Sequence, residues 1–343
     1  MSDTIGWGIL GAGRIARLFA QGLESVPDAR LVAVASRTPE RLQQFGDAFP
    51  GARLCGEYAA VVEDPAVDIA YVATTNQLHR ELSLLALSAR KPVLCEKPFT
   101  MDAAEAGDVI AGARREGVFC MEAMWMRFLP LVRALPELLA AAGLGEVRML
   151  RADFGERMPY APDNRLFDPA LGGGALLDLG VYPLSLAFYL LGRPRAVASE
   201  AALAPTGVDA QSAAVLEYAG GRIALIACSI VARLPTDALI VGEQGHVRVH
   251  TPFYRPSEYS LTYFDQAGPG ERGRQLEPVS VPFQGNGYNY EAIEAMRCLR
   301  AGELESPLMP LGETLAIMET MDAIRACWGR GTGPEQALTS AGS

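Results

Sequence analysis

No run of five or six basic residues occurs anywhere in the 343-residue sequence, and its formal net charge is −10. The electrostatic footprint of a nucleic-acid or anionic-membrane binder is therefore missing. Cysteine pairs at redox or metal spacing are missing too. The six cysteines, Cys55, Cys95, Cys120, Cys228, Cys298 and Cys327, include no C-x-x-C, and several sit in apolar runs where a thiol behaves as a small buried hydrophobe. They read as reduced thiols of a cytoplasmic protein. The start, Met1-Ser2-Asp3-Thr4, lacks the basic segment of a secretory signal. The longest apolar stretches, 223–232 and 176–191, fall short of the ~20 residues that span a bilayer, or are interrupted by Asp178 and Pro183. Histidine is limited to three residues. His246 and His250 tempt a metal reading, but no third ligand stands at suitable spacing, and no metal is expected.

What is present is a chain longer than a single hydrophobic core sustains, half apolar and one-fifth charged. Two domains are expected, 1–122 and 123–335, followed by a loose tail at 336–343. The first alternates apolar runs (5–10, 29–35, 69–73, 92–95, 119–121) with helical patterns (15–25, 39–49, 79–88, 103–116), the signature of βαβ units. Asp102 followed by Glu105 is close to a capping box for the last of these helices. The implied fold is α/β: an open, doubly wound parallel Rossmann sheet. Beyond residue 123 the texture turns to short strands with period-2 polarity at 146–155, 196–204, 212–218, 222–231, 238–241, 246–251, 260–264 and 279–283. Helices are expected at 131–141, 175–191, 291–301 and 311–328. Gly220-Gly221 is a hairpin turn in which both central residues take positive φ. The second domain is thus α+β, with a mostly antiparallel open sheet.

Gly11-Ala12-Gly13-Arg14-Ile15-Ala16 follows the first strand and opens the first helix, matching G-x-G-x-x-G/A in the context that motif demands. Gly11 permits the tight turn, Gly13 admits a pyrophosphate to the backbone, and Ala16 lets helix and strand pack closely. Where an NAD enzyme places an acid on the ribose 2′-hydroxyl, this chain has Ser36-Arg37-Thr38. An acid would repel a 2′-phosphate and an arginine fork would bind it, so NADP is favoured over NAD. Arg37 as a solvated residue after a strand is the bland alternative.

Ligands of such sheets lie beyond the carboxyl ends of the strands. After the third predicted strand comes Thr74-Thr75-Asn76-Gln77-Leu78-His79, and after the fourth comes Glu96-Lys97-Pro98. His79 reads first as a helix cap or surface residue and second as part of the cofactor shell. Lys97, between an acid and a proline, is poorly placed to be a free surface group.

Together with Met121–Pro130 (MEAMWMRFLP) and Asp178-Leu179-Gly180-Val181-Tyr182, these segments resemble the Gfo/Idh/MocA oxidoreductases. CEKPFTMDAAEA, MEAMWMRF and GGGALLDLGVYP are similar to one branch, the dimeric dihydrodiol dehydrogenases and NADP-dependent D-xylose 1-dehydrogenases. The resemblance runs from about residue 5 to about residue 330. It implies Lys97 as the active-site lysine with Glu96 on the ribose side. It implies Thr74, Asn76 and His79 around the cofactor, and Trp125 and Arg127 beside the nicotinamide and substrate. Phe154, Met158 and Phe283 would form the apolar wall of the substrate pocket. Many relatives carry D-x-x-x-H where this chain has Asp178 and Tyr182, four apart on one helix face; Tyr182 is then the acid/base. An ammonium ~4 Å away would contribute about 4 kcal/mol at a dielectric of ~20, the equivalent of roughly three pKa units. Lys97 is accordingly expected to bring Tyr182 into working range, with Asp178 orienting the group. The bland readings are a core tyrosine with its hydroxyl satisfied and a buried helix-to-helix hydrogen bond from Asp178.

The expected activity is hydride transfer between the nicotinamide of NADP and a carbinol or carbonyl carbon of an aldose or trans-dihydrodiol. The alternatives are an anhydrofructose-type ketone or osone reductase and a non-catalytic dinucleotide sensor. The resemblance also implies a homodimer formed through the second sheet.

Overall fold

The computed structural model describes residues 4–264 and 273–329; the expected tail at 336–343 lies outside them. The chain opens with β1 (Ile5–Leu10), α1 (Arg14–Leu23), β2 (Ala29–Ala35), α2 (Pro39–Ala48), β3 (Arg53–Cys55), α3 (Ala59–Val62), β4 (Ile69–Val72), α4 (His79–Ser88), β5 (Val93–Glu96), α5 (Ala103–Glu116) and β6 (Cys120–Ala123). The six strands are parallel in the order β3-β2-β1-β4-β5-β6, so the order reverses between β1 and β4. That reversal point is where a doubly wound sheet opens a ligand crevice. All six residues of β1 are buried, as expected of a strand covered by helices on both faces. On one face Phe19 of α1 stacks on Tyr71 at 3.7 Å and meets Trp7 edge-on at 5.0 Å, which locks the helix that starts at the glycine turn. Asp102 caps α5 as expected, accepting the Glu105 N–H at 2.8 Å, and Gly117 ends the helix in the left-handed region.

The sequence reading missed β3 and α3. β3 is three residues long, sits at the sheet edge and is mostly exposed, so it carries none of the apolar run that marks the other strands.

The remaining elements are α6 (Pro130–Ala141), β7 (Val147–Gly155), α7 (Val181–Leu191), β8 (Ala196–Leu203), β9 (Asp209–Glu217), β10 (Ile223–Ser229), β11 (Ala238–Gly242), β12 (Gly245–Val249), β13 (Glu258–Tyr263), β14 (Arg274–Gln275), β15 (Val279–Ser280), α8 (Tyr288–Ala301) and α9 (Leu311–Arg325). The second sheet runs β14-β13-β12-β11-β7-β10-β9-β8, with β15 beside β13. Its only parallel pair among the described residues is β7 with β10; every other pairing is antiparallel. Gly220 and Gly221 take φ of 75° and 73° at the β9–β10 turn.

One helical run, Pro169–Leu191, is long and apolar enough to cross a membrane by length and hydropathy, contrary to the expectation for residues 176–191; 89% of its apolar window is buried in the protein core. The expected single helix at 175–191 is a π-turn, Leu176–Gly180, followed by α7. The final helices return to the first sheet's layer. Asn286 donates to the Leu18 carbonyl at 2.7 Å, Asp322 accepts the Ala103 N–H at 2.9 Å, and Arg325 donates to the Met101 carbonyl at 2.8 Å. The two sheets are thereby held in one relation, with the crevice between them.

Candidate active site

The crevice begins at the β1–α1 turn. Gly11 has φ +117°, and a Cβ there would lie 2.4 Å from the Ala73 carbonyl oxygen, so only glycine fits between the ends of β1 and β4. A Cβ on Gly13 would meet nothing within 4 Å. Gly13 caps α1 without any side-chain hydrogen bond, so the helix N–H groups face open space. Ala12 and Ala16 are buried, Ile15 is half-buried and Arg14 is exposed. On the far side, the Thr74 Oγ1 and Gln77 Oε1 atoms are buried without a partner. An uncapped helix start, space where a side chain would be and an unpartnered Thr74 hydroxyl able to donate together fit a dinucleotide pyrophosphate. At the end of β2, Ser36 is buried and accepts the Thr38 N–H at 3.1 Å, while exposed Arg37 lies over the Tyr58 ring at 5.6 Å.

Lys97 follows β5 directly and its side chain is 12% exposed. Its Nζ donates to the Asp178 backbone carbonyl at 2.8 Å, stands 3.7 Å from Asp178 Oδ1 and lies 4.8 Å from the centre of the Tyr182 ring. The structure thus brings Lys97, Asp178 and Tyr182 into one place. The π-turn contributes: widened turns of this kind are rare and concentrate at functional sites, and this one carries Asp178 and leads straight into Tyr182. Its first N–H, that of Leu176, is held by the Asp209 carboxylate at 2.6 Å. Burial acts most strongly on Asp178 and pushes its pKa up, but the Lys97 and Arg165 charges overcome it and hold the carboxyl below the usual range.

Tyr182 is different. Burial drives its hydroxyl well above the ordinary tyrosine value, opposed by the Trp125 Nε1–H that donates to Tyr182 Oη at 3.0 Å. The expectation that Lys97 brings the phenol down is corrected here: the ammonium lies over the ring face, not at the hydroxyl, and desolvation prevails. Nor does Asp178 orient the phenol; its side chain bonds Arg165 at 3.0 Å and faces Lys97.

Around the phenol is an aromatic wall. Phe154 tilts against Tyr182 at 5.5 Å and stacks on Tyr254 at 4.4 Å. Tyr254 itself stands 5.4 Å from Tyr182, and Trp125 stacks on Tyr288 at 4.8 Å. Tyr254 and Tyr288 escaped the sequence reading because one lies in an irregular proline-flanked loop and the other opens a helix, where no periodicity singles out a ring. Arg165 escaped for the same reason.

Several expected residues go elsewhere. Met158 is 38% exposed and Phe283 is half-buried against the core. Arg127 is 1% exposed and is committed to Ser185 Oγ at 2.9 Å, the Ser185 carbonyl at 2.8 Å and Glu313, so it ties α7 to α9 rather than facing the crevice. Glu96 turns inward, accepting the Tyr71 hydroxyl and the Lys97 N–H, and burial raises its pKa to about 7. His79 is neither surface residue nor cap. It is buried, with Nδ1 2.9 Å from the Pro98 carbonyl and Nε2 3.3 Å from that of Thr74, so it joins the loops after β4 and β5. Burial lowers its pKa to about 4, and the neutral ring, with a single N–H, donates to one of these two carbonyls. Asn76 donates to the Gly172 carbonyl at 2.9 Å, linking the same crevice rim to the glycine run that precedes the π-turn. His246 and His250 are engaged separately, one against Phe264 and the other with Glu258 and Ser260.

A family model for the oxidoreductase family with an NAD-binding Rossmann fold matches residues 5–124, and one for the GFO/IDH/MocA C-terminal domain matches 132–248. Trans-1,2-dihydrobenzene-1,2-diol dehydrogenase of Mus musculus is 36% identical over 335 residues, covering 94% of this chain and 96% of that one. The Homo sapiens enzyme of the same name is 34% identical over 330 residues, covering 94% and 96%. A 3-ketoreductase from Actinomadura kijaniata, solved with NADP and TDP-benzene, superposes with a TM-score of 0.83 at 26% identity, covering 95% of this chain and 98% of that one. Levoglucosan dehydrogenase, solved with NADH and levoglucosan, shares the fold with a TM-score of 0.83 at 20% identity, covering 94% and 97%.

Proposed function

The chain belongs to the Gfo/Idh/MocA family of NAD(P)-dependent oxidoreductases, and from that premise we propose that it is an NADP-dependent dehydrogenase or reductase acting on a trans-dihydrodiol or an aldose. The observation that carries the reading is the meeting of Lys97, Asp178 and Tyr182 at the crevice that also holds the uncapped α1 terminus. Bound there, NADP would supply the hydride acceptor or donor. The chain's own residues supply the proton and the charge. Trp125 occupies one lone pair of Tyr182 Oη, leaving the phenolic hydrogen to be given to a nascent alkoxide in reduction or regained from a carbinol in oxidation. Lys97 stabilises negative charge on the same substrate oxygen. Because burial favours the phenol, the free site at neutral pH is set to give a proton, and oxidation requires a Tyr182 that has first lost one.

Rings at Trp125, Phe154, Tyr254 and Tyr288 favour a substrate with an apolar ring face and hydroxyls at its edge, as dihydrodiols and pyranoses have. Retention of an acid, a lysine and a tyrosine together favours catalysis over dinucleotide sensing. NADP over NAD is supported by Arg37 where an acid would otherwise stand. A homodimer is supported by the second sheet's outer face, where Val215, Leu225, Arg151, Leu239 and Arg248 form one cross-strand row and Val215 remains 42% exposed. Six unpaired cysteines favour a cytoplasmic setting.

The test is steady-state turnover with NADP and NAD across a panel of trans-dihydrodiols, aldoses and sugar ketones, with sedimentation for the oligomer. NADPH binding without turnover on any of them would replace the enzyme reading with the sensor.

A further inference from the structure

We propose that Arg165 is a positioning residue that draws the Asp178 carboxylate to itself and keeps its ion pair with Lys97 long, leaving that ammonium able to turn to the substrate oxygen; the proposal rests on the oxidoreductase reading above. One carboxylate oxygen is the point of contention. Asp178 Oδ1 is 3.0 Å from Arg165 Nη2 and 3.7 Å from Lys97 Nζ, so it hydrogen-bonds the arginine and holds the lysine only in a longer ion pair. An ammonium has three donors. Lys97 Nζ donates to the Asp178 backbone carbonyl at 2.8 Å, pairs with Asp178 Oδ1 at 3.7 Å and lies 4.8 Å from the centre of the Tyr182 ring.

Arg165 is delivered by the glycine run that precedes the π-turn. Gly172 and Gly174 take φ of +73° and +115°. The Gly173 N–H donates to the Asp168 carbonyl and the Gly174 N–H to that of Leu166, both at 2.9 Å. A Cβ on Gly173 would lie 2.8 Å from the Arg165 carbonyl oxygen and 2.7 Å from that of Leu166, so any other residue would push the turn off. Asn76 anchors the same run from the first sheet through the Gly172 carbonyl. The glycines of GGGALLD and the arginine seven residues ahead of them are therefore one device, which lays a permanently charged fork over Asp178. The charged and titratable groups facing that carboxylate are Lys97, Arg165, Glu96 and Tyr182. Without Arg165, only Lys97 is left as its cationic partner.

Lys91 and Lys97 are the only lysines in the sequence, which allows a test that needs no substrate. Lys91 is held by the carbonyls of Asp64 and Val67, remote from the crevice, and serves as internal reference. Brief acylation with acetic anhydride, read by peptide mass spectrometry, compares the two in wild type and Arg165→Gln. If Asp178 closes from 3.7 Å to the about 2.8 Å of a direct ion pair, Lys97 is clamped as an ammonium. Its labelling relative to Lys91 then falls on the order of tenfold at an effective dielectric of ~20. An unchanged or higher ratio overturns the proposal whatever the substrate proves to be.

Kinetics supply the second arm. Arg165→Gln should lower kcat about tenfold with KM within about threefold, Arg165→Lys should recover part of it, and adding Asp178→Asn should make Arg165→Gln no slower than Asp178→Asn alone. Raised KM at unchanged kcat, or additive losses, would instead make Arg165 a substrate contact and overturn the positioning role. NADPH fluorescence titration establishes that each variant keeps its cofactor site. Absence of turnover by the wild type would remove the functional reading, while the labelling ratio still decides the role of Arg165.

Discussion

Replacing Trp125 with phenylalanine isolates one hydrogen bond at the centre of the site. The indole N–H donates to Tyr182 Oη at 3.0 Å, and it is the contact that opposes the upward push of burial on that hydroxyl. A neutral phenol gains little from such a donor, whereas a phenolate gains the roughly 1.5–3 kcal/mol of a hydrogen bond to a charged group. Losing it therefore penalises the ionised form by that amount. At 1.36 kcal/mol per unit, the Tyr182 ionisation moves up by about one to two pH units. Oxidation depends on the phenolate, whose fraction below its pKa rises tenfold per unit of pH. Trp125→Phe should thus slow oxidation of a diol or sugar by about 10- to 150-fold at any one pH and shift the rise of log(kcat/KM) to higher pH by the same one to two units. Phenylalanine keeps a ring against Tyr288, where the indole stacks at 4.8 Å and 9°, so cofactor affinity should change little. The assay is the initial rate of NADPH formation, followed optically from pH 6 to 10. An oxidative pH profile that does not move, or moves to lower pH, would refute the reasoning.

Tyr182→Phe should lower kcat in both directions by about 10²- to 10⁴-fold with modest change in NADP affinity; unchanged kcat would remove the tyrosine from the mechanism. Gly13→Ala adds a methyl where nothing lies within 4 Å, so the melting temperature should hold while the dinucleotide dissociation constant, by NADPH fluorescence, rises at least about tenfold. Unaltered binding would place the pyrophosphate elsewhere. Arg37→Asp should reverse the preference toward NAD, seen as an inverted ratio of kcat/KM for the two cofactors; a variant that still prefers NADP would refute the 2′-phosphate role.

How much of this was legible in the chain follows from what kind of information each feature needs. The Rossmann half was readable because parallel strands are continuous apolar runs and the glycine turn is a local demand on φ and space: β1, β2, α4 and α5 lie at the expected residues, while β3 is too short and exposed to leave a pattern. Lys97, Asp178 and Tyr182 were found through their motifs, and the structure brings them together. Their electrostatics were not readable. A spacing of four residues suggested that Asp178 serves Tyr182, but the carboxylate is turned to Arg165 and Lys97 by a π-turn and a glycine-supported loop. Burial, a property of the whole fold, then set the phenol against the expected shift. Arg127 and Glu96 illustrate the same limit: both occupy motif segments that border the crevice, and both point inward to buried partners.

The central claim is that one substrate oxygen is held jointly by the Tyr182 phenol and the Lys97 ammonium beside the nicotinamide. A crystal structure of the ternary complex with NADPH and an unreactive diol or sugar analogue tests it most directly. The account predicts that the reacting oxygen lies within hydrogen-bonding distance of both Tyr182 Oη and Lys97 Nζ, with Trp125 still donating to the phenol. An analogue whose oxygen contacts neither group, or a nicotinamide ring on the far side of the aromatic wall, would contradict it.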